Sequence, residues 1–154
     1  MRCIQGNILD IKKGLIIQQV NCKAVMGAGL AKQIRLKYPK VFSDYIEHLS
    51  LCNRLGRNPL GTINSTSIYG GCTIYNFFSQ DTYGRNGRHT DYEAFERCLK
   101  ALEKRFLNSK VDKKDVDVYF PHGIGCGLAG GDWGVISKLI YKYFPNSIIV
   151  KLEK

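Results

Sequence analysis

The chain has 154 residues, enough for one domain that buries its own core without disulfides or a structural metal. Its 23 lysines and arginines against 13 aspartates and glutamates give a formal net charge of +10, which favours anionic partners, although a plain solvated surface accounts for it equally well. Neither a signal-peptide pattern nor an apolar run of the ~18 residues that a membrane span needs occurs, so we expect a cytoplasmic protein without membrane partners.

Short apolar runs alternate with segments of helical periodicity along the chain. The runs predict strands at 2–5, 15–20, 62–68, 72–79, 116–120 and 147–152. The periodic segments predict helices at 28–37, 39–54, 90–106 and 132–144. This order indicates an α/β sheet covered by helices on both faces, in a single domain over residues 1–154.

Single residues indicate where these elements begin and turn. Pro39 suits the first turn of a helix, and Tyr69-Gly70-Gly71 predicts a hairpin turn. Thr90 and Glu93 have the spacing of a capping box, and Asp132 stands where an N-cap is expected.

The cysteines and histidines are scattered along the chain. The six cysteines include no C-x-x-C pair, and His48, His89 and His122 stand far apart. Structural zinc sites need ligands paired at short spacing. The sequence therefore predicts free thiols in a reducing compartment and chemistry without a metal.

Two glycine-bearing loops each lead from a predicted strand to a predicted helix. The first contains Asn21 and the run Met26-Gly27-Ala28-Gly29-Leu30-Ala31, and the second the run Gly123-Ile124-Gly125-Cys126-Gly127-Leu128-Ala129-Gly130-Gly131. Ligands bind at the carboxyl ends of strands in such sheets, and bare N–H groups at a helix start favour phosphate. Two such loops at one cleft predict a diphosphate site. Glycines that serve only tight turns or close packing are the alternative.

The second loop also matches the G-x-G-x-x-G dinucleotide fingerprint, at residues 125–130. The match lies too near the end of the sequence to leave room for the remaining strands of a dinucleotide-binding fold. No G-x-x-x-x-G-K-[ST] run occurs, which excludes a P-loop.

Taken together, these motifs resemble the macro domains, the ADP-ribose-binding modules. The resemblance spans nearly the whole chain and rests on Gly6-Asn7-Ile8-Leu9, Val20-Asn21-Cys22, both glycine runs and Lys37-Tyr38-Pro39. It is greatest to the branch that contains ADP-ribose-1''-phosphate phosphatases, with the terminal ADP-ribose protein glycohydrolases as close relatives. It implies a three-layer α/β/α sandwich around a six-stranded mixed sheet.

The resemblance also implies a role for each motif. Ile8 would donate its amide to the adenine ring, and Asn7 would accept from the exocyclic amine. Amides of residues 123–128 (Gly123, Ile124, Gly125, Cys126, Gly127, Leu128) would wrap the diphosphate. Asn21 and the run Met26, Gly27, Ala28, Gly29, Leu30 and Ala31 would hold the distal ribose. ADP-ribose would be ligand or product, with no separate cofactor and no metal, and an ADP-ribosylated macromolecule is a further candidate partner.

Three positions depart from the glycohydrolase pattern. Ala24 stands where many macro-domain hydrolases have a second asparagine, and residues 76–81 lack the lysine that would act as nucleophile. Ala129 replaces the partner acid. These departures argue against a lysine-dependent glycohydrolase mechanism.

Asp132, His122 and Asn21 are the candidate catalytic residues, and Asp81 is a further one. Asp132 could activate water or only cap a helix. His122 could transfer a proton near neutral pH or simply lie at the surface. Asn21 could position water or ribose hydroxyls, or cap a turn.

Residues 80–89 form a polar loop in which Arg85 and Arg88 could bind a terminal phosphate; a plain flexible connection is the alternative. The preferred function is removal of the 1''-phosphate from ADP-ribose-1''-phosphate. Release of ADP-ribose from a protein or nucleic acid, and ADP-ribose binding without turnover, stay open. The charge also permits a nucleic-acid-binding protein, but no known nucleic-acid-binding motif supports it.

Overall fold

The computed structural model describes residues 1–153. The strands are β1 (Arg2–Gln5), β2 (Gly14–Val20), β3 (Ile63–Tyr69), β4 (Cys72–Phe78), β5 (Val118–Pro121) and β6 (Ile148–Lys151). The helices are α1 (Gly29–Lys37), α2 (Pro39–Arg54), α3 (Tyr92–Ser109) and α4 (Trp133–Tyr143), and two short 3-10 turns lie at Ile8–Asp10 and Lys113–Asp115. Within these residues, no helix combines the length and apolarity that crossing a membrane demands.

All six strands form one mixed sheet with the order β1-β6-β5-β2-β4-β3. Every neighbouring pair is parallel except β3 and β4, which form an antiparallel hairpin. The carboxyl ends of β1, β6, β5, β2 and β4 therefore lie along the same edge. The loops that leave this edge are the ones in which the sequence predicts a ligand site.

Each face of the sheet has its own hydrophobic core, because side chains alternate along a strand. Ile17 of β2 and Phe77 of β4 belong to the core under α3 and α4. Their neighbours along the same two strands face the opposite side of the sheet. Ile16 and Phe78 belong to the core under α1 and α2. The predicted three-layer α/β/α arrangement with a six-stranded mixed sheet is thus confirmed.

Most predicted boundaries agree with the structure to within a residue or two, and the hairpin turn at residues 70–71 is confirmed. The prediction that Thr90 and Glu93 form a capping box is wrong. Helix α3 is capped by Asp91, whose side chain accepts a hydrogen bond from the Ala94 amide. The Thr90 hydroxyl instead donates to the Gly125 carbonyl. Two good capping residues stand side by side, and a tertiary contact decides between them.

Candidate functional site

A cleft of about 620 Å³ opens at the carboxyl edge of the sheet. Loops after three adjacent strands, β5, β2 and β4, form its walls. This volume is typical of sites for drug-sized or nucleotide-sized ligands. The lining residues are 18–21, 25–31, 80, 83–85, 121–125 and 127–129.

Glycines in the two loops have different surroundings. A Cβ atom added at Gly29, Gly123 or Gly127 would meet nothing within 4 Å. One added at Gly125 would lie 2.8 Å from the Gln19 side-chain oxygen, and one at Gly130 would lie 2.8 Å from the Gly87 carbonyl. The glycine predictions therefore divide: some positions leave the cleft open, and others allow neighbouring loops to pack closely.

Several backbone amides of the second loop have no acceptor within the described part of the chain. They are those of Gly123, Gly125, Gly127, Leu128 and Ala129. The loop is held in shape by turn hydrogen bonds from neighbouring amides, such as Cys126 N to Gly123 O over 2.8 Å. Because these unpaired donors line a cleft, they are available to an anionic group.

The first loop contributes the start of helix α1. Its N-cap residue, Ala28, makes no side-chain capping bond. Helix geometry leaves the first amides, from Gly29 to Ala31, without partners inside the helix, and the helix dipole makes this end partly positive. Both walls of the cleft therefore present uncapped backbone donors.

A chain of side-chain hydrogen bonds supports the floor of the cleft. Gln19 donates from Nε2 to Gln80 Oε1 (2.8 Å) and to Thr90 Oγ1 (2.9 Å). Its oxygen accepts from Ser79 Oγ over 2.6 Å, and Thr90 Oγ1 donates to Gly125 O over 2.6 Å. Gln19 is not among the site residues predicted from the sequence. Its only signal was a pair of glutamines at the end of an otherwise apolar strand.

Asn21 lines the cleft, but its side chain is used within its own loop. Its Nδ2 donates to the Val25 carbonyl over 2.8 Å, and its Oδ1 accepts from the Lys23 amide over 2.9 Å. The buried Tyr45 hydroxyl lies 2.8 Å from both Asn21 oxygens and accepts from the Val25 amide. Asn21 therefore shapes the first loop, and its side chain has little free capacity for a ligand.

Of the other candidate catalytic residues, only His122 lies on the cleft. It is exposed and its ring packs against Trp133, with centroids 4.8 Å apart. Asp132 is outside the lining: its Oδ1 caps helix α4 by accepting from the amides of Gly134 (2.7 Å) and Val135 (3.3 Å). Asp81 is also outside, paired with Lys23 at 3.5 Å.

Asn7, Ile8 and Cys126 are predicted ligand residues that do not line the cleft. Asn7 caps the 3-10 turn after β1, accepting from the Leu9 amide over 2.9 Å, and Ile8 is buried. Cys126 packs into the core under α3 and α4, because the residues on either side turn their backbone to the cleft. An adenine role for Asn7 and Ile8 stays a prediction.

The cleft lining contains one arginine, Arg85, and no aspartate or glutamate. No nucleophilic thiol faces it either. Burial, and secondarily the Asp81 carboxylate, raise the pKa of the nearby Cys22 to about 12, so this thiol stays protonated at neutral pH. Among residues 1–153, no group of three or more His, Cys, Asp or Glu could hold a metal ion. The site therefore offers backbone donors, side-chain amides, the His122 imidazole, the Tyr83 hydroxyl and a single guanidinium.

Comparison with known proteins agrees with this geometry. No protein-family model matches the chain. Its sequence is 26% identical to an ADP-ribose 1''-phosphate phosphatase from Candida glabrata, over 91% of this chain and 90% of that protein.

Solved structures share the fold. The macrodomain of Thermus aquaticus DarG matches with a TM-score of 0.75 at 21% identity, over 99% of this chain and 97% of that one. Thermosipho africanus DarTG in complex with ADP-ribose matches with a TM-score of 0.75 at 16% identity, over 99% of this chain and 42% of that one.

Proposed function

Because this chain has the fold of the macro domains, we propose that it is one, that it binds ADP-ribose in the cleft and that it hydrolyses the 1''-phosphate of ADP-ribose-1''-phosphate. The observation that carries the proposal is the pair of backbone-donor groups, on the second loop and at the start of α1, that line one cleft. Backbone amides bind a diphosphate without a compensating side-chain charge, and glycines without Cβ contacts let it approach.

The ligand would lie along the carboxyl edge of the sheet. Asn7 and Ile8, after β1, would contact the adenine, and the amides after β5 would bind the diphosphate. Asn21 and the start of α1, after β2, would enclose the distal ribose. This order of groups follows the order of the strands in the sheet.

Two observations favour phosphate removal over release of ADP-ribose from a protein. The Candida glabrata relative is named for the phosphatase activity and aligns along most of both chains. The cleft lining also lacks both a lysine and a carboxylate, the groups on which the lysine-dependent glycohydrolase mechanism relies.

Hydrolysis would break the bond between phosphorus and the ribose oxygen, with water supplying the new P–O bond. The products are ADP-ribose and inorganic phosphate. His122 is the one imidazole in the cleft lining, and imidazole is the side chain that most often transfers protons in enzymes. We therefore propose that it accepts the proton from water and gives it to the leaving ribose oxygen.

A second candidate function is ADP-ribose binding without turnover. The absence of any carboxylate among the cleft-lining side chains favours it, because a general base is then limited to His122.

The two functions separate in one experiment. The protein is incubated, with EDTA present, with ADP-ribose-1''-phosphate, a mono-ADP-ribosylated protein and an ADP-ribosylated oligonucleotide, and the products are resolved by chromatography. We expect inorganic phosphate and ADP-ribose from the first substrate alone. Calorimetric titration with ADP-ribose, AMP and NAD runs in parallel, and absence of saturable ADP-ribose binding would overturn the proposal.

A further inference from the structure

The segment from Gln80 to Thr90 crosses the mouth of the cleft and is fixed at both ends. Its first and last residues pair with each other in an antiparallel bridge. Asp81 O accepts from the Cys22 amide over 3.0 Å, which joins the segment to the first loop. At the other end the His89 amide donates to Ala129 O over 2.7 Å, which joins it to the second loop. Its tip, at residues 83–85, lines the cleft.

Arg85 differs from the other cations around this tip. Lys23 is paired with Asp81, and the Arg88 guanidinium lies over the Tyr92 ring, 4.3 Å from its centroid. The Arg85 side chain is exposed and lines the cleft, and no hydrogen bond or ion pair within residues 1–153 involves it. No carboxylate lines the cleft to neutralise it. A guanidinium that lines a cleft without a carboxylate partner can bind an anion through its N–H groups.

The position of Arg85 along the cleft follows from the sheet. The strand order β1-β6-β5-β2-β4 places the loop after β4 next to the loop after β2, on the side away from β1. With the adenine near β1 and the distal ribose at the loop after β2, the next group along the ligand is the substituent on the distal ribose. The segment that follows β4 carries Arg85 and leaves the sheet next to the loop after β2, so this order of the ligand would bring the substituent towards Arg85.

We propose that Arg85 is the specificity-determining residue of the cleft, binding the terminal phosphate on the distal ribose through two parallel N–H···O bonds. The proposal rests on the function proposed above. A phosphate carries more charge than the hydroxyl of free ADP-ribose, and its oxygens match the guanidinium fork. Arg85 therefore stabilises the complex with a 1''-phosphorylated ligand and contributes nothing to the complex with ADP-ribose.

The test compares two ligands on four proteins by calorimetry. The ligands are ADP-ribose and its hydrolysis-resistant 1''-methylenephosphonate analogue. The proteins are the wild type, Arg85→Gln, Arg85→Lys and the charge-matched control Arg2→Gln. Arg2 is exposed at the start of β1, at the opposite end of the sheet from the cleft. Thermal melting of each variant checks that the fold is intact.

We expect Arg85→Gln to weaken binding of the phosphonate by about tenfold or more, the usual loss for a charge-assisted hydrogen bond, and to leave ADP-ribose affinity within about twofold. The phosphonate affinity of Arg85→Lys should lie between those of the wild type and Arg85→Gln, because an ammonium keeps the charge but lacks the two parallel donors of the guanidinium. Arg2→Gln should match the wild type.

Two results would overturn the inference in different ways. If the wild type prefers the phosphonate and Arg85→Gln keeps that preference, Arg85 is not the selecting residue and the proposed function stands. If the wild type does not bind ADP-ribose at all, the proposed function and the role of Arg85 fail together.

Discussion

The Thr90 hydroxyl donates a hydrogen bond to the Gly125 carbonyl over 2.6 Å and accepts one from Gln19 Nε2 over 2.9 Å. Through these two bonds a buried side chain before α3 fixes the middle of the loop whose amides line the cleft. A Cβ atom added at Gly125 would lie 3.0 Å from this same hydroxyl and 2.8 Å from Gln19 Oε1, so the close approach requires glycine. This one side chain therefore ties the middle of the loop to Gln19 on β2.

Thr90→Val should loosen the second loop. The change keeps the side-chain shape but leaves one Gln19 N–H without an acceptor and removes one of the two hydrogen bonds to Gly125 O, which still accepts from the Gly131 amide. An unpaired, part-buried donor costs about 1–3 kcal/mol in the free energy of unfolding. ADP-ribose affinity should fall as well, because the amides lose their fixed positions. Urea unfolding and calorimetric titration measure the two effects. Thr90→Ser, which keeps the hydroxyl, is the control, and equal behaviour of Val and Ser would contradict the role of the network.

Substitution at Gly127 should weaken ligand binding, whereas substitution at Gly130 should lower stability. Gly127→Glu should bind ADP-ribose at least about tenfold more weakly at nearly unchanged melting temperature, since a Cβ there meets nothing but a carboxylate would repel the diphosphate. Gly130→Ala should lower stability by about 1–2 kcal/mol, because φ is +74° and a Cβ would lie 2.8 Å from Gly87 O. If both variants lose only stability, the glycines of this loop serve packing alone.

Asp132 should prove to be a helix cap. Asp132→Ala should cost about 1 kcal/mol of stability, whereas Asp132→Asn should cost little, because asparagine caps nearly as well. Turnover of ADP-ribose-1''-phosphate should persist in Asp132→Asn, since the side chain accepts two amide hydrogen bonds outside the cleft lining. A fall of a hundredfold or so in the Asn variant would instead identify Asp132 as a general base.

His48 should make stability depend on pH. Burial, and secondarily the positive charge of Arg105, hold its pKa below the ordinary value of 6.5. Its Nε2 donates to Thr62 Oγ1 (2.8 Å), whose own hydrogen goes to Pro59 O, and its ring stacks on Phe78. The unfolded chain therefore binds a proton more readily than the folded one, so the contribution of His48 is present above about pH 6.5 and is lost as pH falls towards the folded pKa.

Urea unfolding of the wild type and His48→Gln at pH 7, 6 and 5 measures this contribution. The glutamine variant should be less stable than the wild type at pH 7, because it lacks the ring that stacks on Phe78. It should lose less stability than the wild type on acidification. The same slope against pH in both proteins would show that another group controls it.

Apolar runs and helical periodicity were enough to predict the six strands and four α-helices. The apolar run identified β1 and β6 without alternation, since all four residues of β1 are exposed and Ile148–Val150 of β6 are all buried. Local signals also placed Pro39 at the start of α2 and Asp132 at the cap of α4. The cap of α3 could not be predicted from local signals, since Thr90 and Asp91 are both good caps and the Gly125 carbonyl decides between them.

The glycines of the site posed the same difficulty. Gly127 and Gly130 are equivalent in a sequence motif, yet Gly130 packs against Gly87, which lies in a loop that precedes α3. Which glycine faces a ligand is set by this contact between distant segments. The importance of Gln19 was equally hidden, because its partners, Ser79, Gln80 and Thr90, lie far along the chain.

Strand β1 lies at the edge of the sheet and pairs with β6, the last strand, with Arg2 opposite Ile148. During synthesis on the ribosome, β1 therefore emerges before the other five strands and waits for its hydrogen-bonding partner until Ile148–Lys151 has been made. Closing so long a loop is slow compared with forming local helices or the β3–β4 hairpin. We expect β1 to be the last strand to dock, and nascent chains that lack β6 to expose its backbone to chaperones.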